Sequence, residues 1–102
     1  MTKKIFISFP MSGKTFEEIV EERDNIFKKL KEKFFFKIDI ELINSVYEEP
    51  FEHKPLWYLG WSIQKMSEAD IAVFAGKNWK EARGCQIEYA CAKQYGLQTI
   101  II

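Results

Sequence analysis

Two hydrophobic periods alternate along the chain, one of about two residues and one of about 3.6, and their order predicts the elements. Ile5-Phe6-Ile7-Ser8-Phe9 reads as a buried strand stopped by Pro10. Met11-Ser12-Gly13-Lys14 reads as a turn. Thr15 is placed to cap a helix, with Glu18 three residues on completing a capping box. That helix carries Phe16, Ile19, Val20, Phe27 and Leu30 on one stripe beside a charged face. Lys37 to Ile43 alternates as a second strand whose charged positions suit an exposed edge.

Asn44 to Pro55 reads as a long loop with two prolines and an acidic pair, Glu48 and Glu49. Pro55 opens a second helix with Leu56, Leu59, Ile63 and Met66 on its apolar positions. Ile71 to Ala75 is a continuous apolar run, the pattern of a central parallel strand. Gly76 to Trp79 is a loop, residues near Lys80 to Tyr95 a third helix stopped by Gly96, and Thr99 to Ile102 a last strand. The order β-α-β-α-β-α-β with right-handed crossovers predicts one α/β domain over residues 1–102, a small doubly wound parallel sheet of about four strands and three helices. The expected architecture is a flavodoxin- or Rossmann-like three-layer sandwich.

A hydrophobic content of 47% with 16% aromatics supports a packed interior. Fifteen basic and fifteen acidic residues cancel, which argues against a nucleic-acid polymer or an anionic membrane as partner. Cys85 and Cys91 fall on different sides of one helix and are not placed to pair, and with the single His53 they do not make a zinc site, so neither metal nor cofactor is expected. The apolar run at the start is too short for a signal peptide or a membrane span, so the expected location is cytoplasmic.

Open parallel sheets place their ligands beyond the carboxyl ends of the strands, where strand order reverses. Two loops are predicted there. The first offers Ser8, Ser12, Gly13 and the amides of a helix start, without P-loop or dinucleotide-fingerprint spacing. The second leads into Ala82-Arg83-Gly84-Cys85-Gln86-Ile87-Glu88, with Glu88 about one turn inside the helix. There, backbone amides and the helix dipole are expected to hold Glu88 ionised, either merely stabilising the helix start or serving as a nucleophile toward an anomeric carbon. Arg83 can clamp a phosphate or pair with Glu81.

Other candidates carry blander readings. Asp70 is expected to pair with a nearby donor, and Trp57, Tyr58 and Trp61 to serve packing or an interface. Trp79 is the better placed to stack on a base, or else lids the core. His53 is expected in solvent, away from Glu88. Arg23 is expected to pair with Glu18, Glu21 or Glu22, and Lys28 to Lys33 to form a solvated face. Cys85 is expected to pack near the site rather than act as a nucleophile.

The order strand–Pro–Ser–Gly–helix, then Ala-Asp-strand, then Gly-x-x-x-Glu-x-x-Ala resembles the nucleoside 2-deoxyribosyltransferase superfamily, including its deoxynucleoside monophosphate N-glycosidases. The resemblance spans nearly the whole chain and is strongest from Ala69 to Ala90. It implies that Glu88, four residues after Gly84, is the nucleophile forming a glycosyl-enzyme intermediate. It implies that Arg83 and Gly84 lie near the sugar or 5′ group, and that Ser8, Pro10, Met11, Ser12 and Gly13 line a nucleotide pocket.

Two positions depart from the superfamily pattern. Its transferases carry an Asp eight residues before Asp70, where this chain has Ser62, and often an Asp or Ser six before the nucleophile, where it has Ala82. Loss of an acid partner weakens protonation of the leaving base. The expected ligand is a nucleoside or nucleotide, cleaved, transferred or only bound. At this chain length a second subunit is expected to complete the pocket, giving a homodimer or higher homo-oligomer.

Overall fold

The computed structural model describes residues 2–47 and 53–102; the predicted acidic pair Glu48 and Glu49 lies outside them. Four strands form one parallel sheet in the order β2-β1-β3-β4. They are β1 (Lys3–Ser8), β2 (Ile40–Leu42), β3 (Ile71–Phe74) and β4 (Gln98–Ile101). Three α-helices connect them, α1 (Phe16–Phe34), α2 (Pro55–Met66) and α3 (Arg83–Gln94).

Strand parity sorts the core into two layers, because successive side chains point to opposite faces of a sheet. Ile5, Ile7 and Phe9 join Ile71, Val73 and Ala75 on the face covered by α1, where Leu30 is buried and Ile19, Ile26 and Phe27 pack. Phe6 joins Ala72 and Phe74 on the other face, with Met66 of α2 and Cys85 and Ala92 of α3. One helix on one side and two on the other make the doubly wound three-layer sandwich expected from the sequence. Ser8 shares the parity of Phe6, so the last residue of β1 points toward the layer that holds α2 and α3.

The capping box forms as its spacing predicts. Glu18 N–H donates to Thr15 Oγ1 at 3.1 Å, and Thr15 N–H donates to Glu18 Oε1 at 2.8 Å. Those hydrogen bonds from Thr15 hold the Glu18 carboxyl below its ordinary value of 4.5.

Two elements are shorter than their patterns suggest. Alternation from Lys37 to Ile43 yields a strand only over Ile40–Leu42, because β1 begins at Lys3 and Lys3 pairs with Ile40. Asp39 O still accepts from Lys3 N–H of β1 at 3.0 Å, but Ile38 N–H bonds instead to Phe35 O at 3.3 Å in a turn. The strand does lie at the sheet edge, as its charged positions predict. The third helix begins at Arg83 rather than near Lys80. Asn78 adopts a left-handed backbone (φ 64°), Trp79–Glu81 form a single 3-10 turn, and extended Ala82 (ψ 122°) resets the chain before the helix starts. Gly96, with φ of +71°, provides the left-handed stop after α3.

Gly76 follows β3 with φ of +94°, and a Cβ there would lie 3.0 Å from Pro10 Cδ. The carboxyl ends of β1 and β3 thus approach each other through a position only glycine fills.

Candidate active site

Strand order reverses between β1 and β3, since β1 connects to β2 on one side and β3 to β4 on the other. At the carboxyl end of β1 the chain brings together three side chains that lie far apart in sequence. Ser8 Oγ donates to Glu88 Oε1 at 2.7 Å, and Ser62 Oγ donates to Glu88 Oε2 at 2.5 Å. One strand and one helix therefore hold the two oxygens of a carboxylate carried by a second helix. Glu88 is 7% exposed and Ser8 2% exposed.

Burial pushes the Glu88 carboxyl above its ordinary value of 4.5, and the Ser62 and Ser8 hydroxyls pull in the opposite direction. This corrects the expectation that a helix terminus holds Glu88 ionised. With α3 starting at Arg83, Glu88 is its sixth residue. Unpaired amides belong to the first four residues of a helix, so two serine hydroxyls, not backbone N–H groups, serve the carboxylate. Each carboxylate oxygen can accept more than one hydrogen bond, so the clamp leaves lone pairs available for chemistry.

Cys85, one turn before Glu88 and 3% exposed, borders the cluster. Burial raises its thiol above the ordinary value of 9.0, the Ser8 hydroxyl opposes that, and the Glu88 charge adds to it. A thiol held protonated packs near the site and is a poor nucleophile, as its sequence reading has it.

The remaining predicted site residues are placed as follows. Pro10 and Met11 are half-buried, and Ser12 and Gly13 exposed, in the turn beyond β1. Lys14 ties that turn to α1 by donating to Pro10 O at 2.9 Å and to Glu22 Oε1 at 2.5 Å. Arg83 is exposed at the first residue of α3 and, among the described residues, has no ion pair with Glu81 or any other carboxylate. Gly84, beside it, is half-buried.

Trp79 is not brought to the carboxylate by any described contact. It is 8% exposed, with ring centroids 5.3 Å from both Phe74 and Tyr89, and so takes the core-lid role. Asp70 sits at the opposite end of the sheet, where its Oδ2 accepts from Lys4 N–H at 2.8 Å.

Two expectations from sequence are corrected. Arg23 pairs with Asp24 at 3.2 Å and donates to Asn44 Oδ1 at 3.0 Å, while Glu22 is taken by Lys14. His53 is half-buried rather than in solvent, stacked on Trp57 with ring centroids 3.6 Å apart and planes 14° apart. The residue sequence reading missed is Tyr47, whose ring lies 4.7 Å from Trp57 and 4.9 Å from Trp61, the hub of an aromatic cluster around the start of α2. Tyr47 stands in an aperiodic loop, so no pattern singled it out.

A groove of about 460 Å³ opens on the α1 face, lined by Glu18, Glu21, Glu22, Asn25, Lys29 and Gly76 among others. Its carboxylates disfavour a phosphate, and Glu88 does not line it. Among the described residues no group of three His, Cys, Asp or Glu side chains is arranged to hold a metal ion, and no helix is long and apolar enough to cross a membrane.

Fold and cluster define a class: a small doubly wound α/β domain with a buried, serine-clamped carboxylate at the switch point of its sheet. The chain belongs to the family described as a domain of unknown function, DUF4406, which it matches over residues 3–101. No curated protein and no solved structure matches it significantly.

Proposed function

We propose that the protein cleaves or transfers the N-glycosidic bond of a nucleoside or nucleotide, with Glu88 as the nucleophile. The observation that carries this reading is the clamp itself: both Glu88 oxygens are fixed by Ser8 and Ser62 at the sheet edge where α/β folds place ligands. In the proposed reaction a Glu88 oxygen forms an ester bond to the anomeric carbon while the C–N bond breaks. The electron pair leaves with the base, which takes a proton from solvent. Water then attacks the same carbon, gives up a proton and releases Glu88; a second base in place of water gives exchange. The serine hydroxyls orient the attacking carboxylate and hold its charge before and after the ester forms.

Arg83 supports the phosphate side of this reading, as an exposed cation with no ion pair among the described residues at the start of the same helix. Ser62, at the position where the superfamily's transferases carry an Asp, keeps a hydroxyl on the carboxylate but supplies no acid to the leaving base. Slow hydrolysis therefore fits the residues better than rapid exchange.

The test is chromatography of nucleosides, nucleoside monophosphates and dinucleotide cofactors incubated with wild type, Glu88→Ala and Glu88→Gln. Free base is expected from wild type alone, with a loss of at least ~1000-fold in both variants. Because burial raises the Glu88 carboxyl, the rate is expected to rise with pH to a plateau, its acid limb lying above pH 4.5. Base release unchanged in Glu88→Gln would sink the mechanism.

A second reading, a nucleotide-binding domain without turnover, is favoured by the low exposure of Glu88, 7%. Saturable nucleotide binding without base release from any compound would select it. In either reading the partner is a small molecule, and the acting form is a homo-oligomer.

A further inference from the structure

The basic and acidic residues cancel only over the whole chain; along α1 they are segregated. Residues 16–27 carry five carboxylates and one arginine, whereas residues 28–39 carry five lysines against Glu32 and Asp39. The acidic half begins at the carboxyl edge of the sheet, where Glu18, Glu21 and Glu22 line the groove beside Gly76. The basic half ends at the opposite edge, where α1 turns into β2. The helix has 19 residues, a span of roughly 28 Å. Salt screens exposed charges over about 8 Å, so the two fields act separately.

Lysines in a last helical turn complement the helix dipole, and Lys31 and Lys33 have that use. The apolar residues among them have no such explanation. Phe34 is 49%, Phe36 71% and Ile38 45% exposed, while Phe35 is buried in the core under α1. The hydrogen bond from Ile38 N–H to Phe35 O closes a turn with Phe36 and Lys37 at its tip. Such positions ordinarily go to Gly, Asn, Asp, Ser or Pro. Phe35 thus anchors the turn from below and leaves its neighbours facing outward. Lys37 Nζ stands 5.6 Å from the centroid of the Phe36 ring, and among the described residues none of the five lysines forms an ion pair.

We propose that the turn between α1 and β2 docks the protein on an anionic lipid bilayer surface, with Phe34, Phe36 and Ile38 entering the headgroup layer and the surrounding lysines facing lipid phosphates. Surface attachment of this kind needs apolar area and positive charge together, and the turn carries both. Lysine suits the role because its stem lies along apolar surface while its head stays in water. A second protein fits less well: interfaces favour arginine and shed lysine, and here every cation is lysine. A nucleic-acid strand stacks on aromatic faces, and Ile38 offers none. Tyr95, 88% exposed at the end of α3, stands at the same edge of the sheet and is the amphipathic type enriched at membrane interfaces. Docked this way, the edge that holds Ser8 and Glu88 faces away from the bilayer. The acidic half of α1, which an anionic surface repels, faces away with it.

The experiment is flotation of the full chain with vesicles of phosphatidylcholine, alone or with about 30% phosphatidylserine, at about 0.1 M salt. It compares wild type, Phe36→Ser and the double variant Lys33→Gln, Lys37→Gln, all at exposed positions, with circular dichroism to check each fold. Wild type is expected to float with the anionic vesicles only, and to be released at about 0.5 M salt. Phe36→Ser is expected to weaken partition at least ~10-fold, and the double lysine variant by a similar ~10-fold. Ile38→Ser takes the place of Phe36→Ser where that variant does not fold. A wild type that stays in solution with both kinds of vesicle overturns the proposal, whether or not it retards a labelled oligonucleotide. Undiminished binding by the folded serine variant overturns it too, since charge alone then makes the contact. Base release is not read, so this inference and the glycosidase reading stand or fall separately.

Discussion

Glu88 gives up water for two serine hydroxyls, and this exchange has a pH signature. Folding raises its carboxyl above 4.5, so near pH 4 and below the group is protonated in folded and unfolded chains alike. As pH climbs past 4.5 the unfolded chain ionises while the folded one still holds its proton, and stability falls until the folded carboxyl has ionised too. Glu88→Gln is neutral at every pH and escapes that loss. Thermal melts are expected to show the variant more stable than wild type at pH 7.5, with the gap narrowing toward pH 4. Each kcal/mol recovered corresponds to about 4–8 °C in a domain of this size. A gap that widens on acidification would contradict the sign. Gly76 makes a second residue-scale prediction. With φ of +94° and Pro10 Cδ 3.0 Å from the Cβ position, Gly76→Ala is expected to cost about 1–3 kcal/mol in denaturant unfolding.

Among the elements, β1 and β3 form the buried centre, while Met66 is the one fully buried residue of α2. Hydrogen exchange is expected to follow that gradient, slowest for amides of Ile5–Ile7 and Ala72–Phe74 and faster for α2. The elements also show what was legible beforehand. Strongly periodic segments such as β3 and α1 stood out, and Thr15 with Glu18 marked the start of α1 without ambiguity. Lys37 and Ile38 misled, because alternation reports a strand-like surface but not whether a neighbour lies beside it. The start of α3 misled for another reason: the left-handed Asn78 and extended Ala82 interrupt a stretch whose composition suits a helix throughout.

Across the whole molecule, the two halves of the site were individually visible in sequence and their union was not. Ser8 and Glu88 belong to the recognisable pattern at either end of the chain, and Ser62 stood out only as a departure from it. That the departure faces the same carboxylate follows from strand parity and from α2 and α3 sharing one layer, which no local pattern encodes. What acts on the Glu88 carboxyl was misread for the same reason, since the burial that raises it is a property of the assembled layers.

The sheet order carries a last consequence for how the chain comes to be folded. Its two innermost strands, β1 and β3, are partners across a long span of sequence, Ile5 beside Ile71, whereas β2 and β4 are added at the rims. No zippering of adjacent segments can build this centre. The ends of a large loop must meet first, an entropic cost that grows with loop length and slows topologies of this kind. A nascent chain released before β3 emerges would carry β1 with its future partner's side open, an unpaired apolar edge prone to self-association.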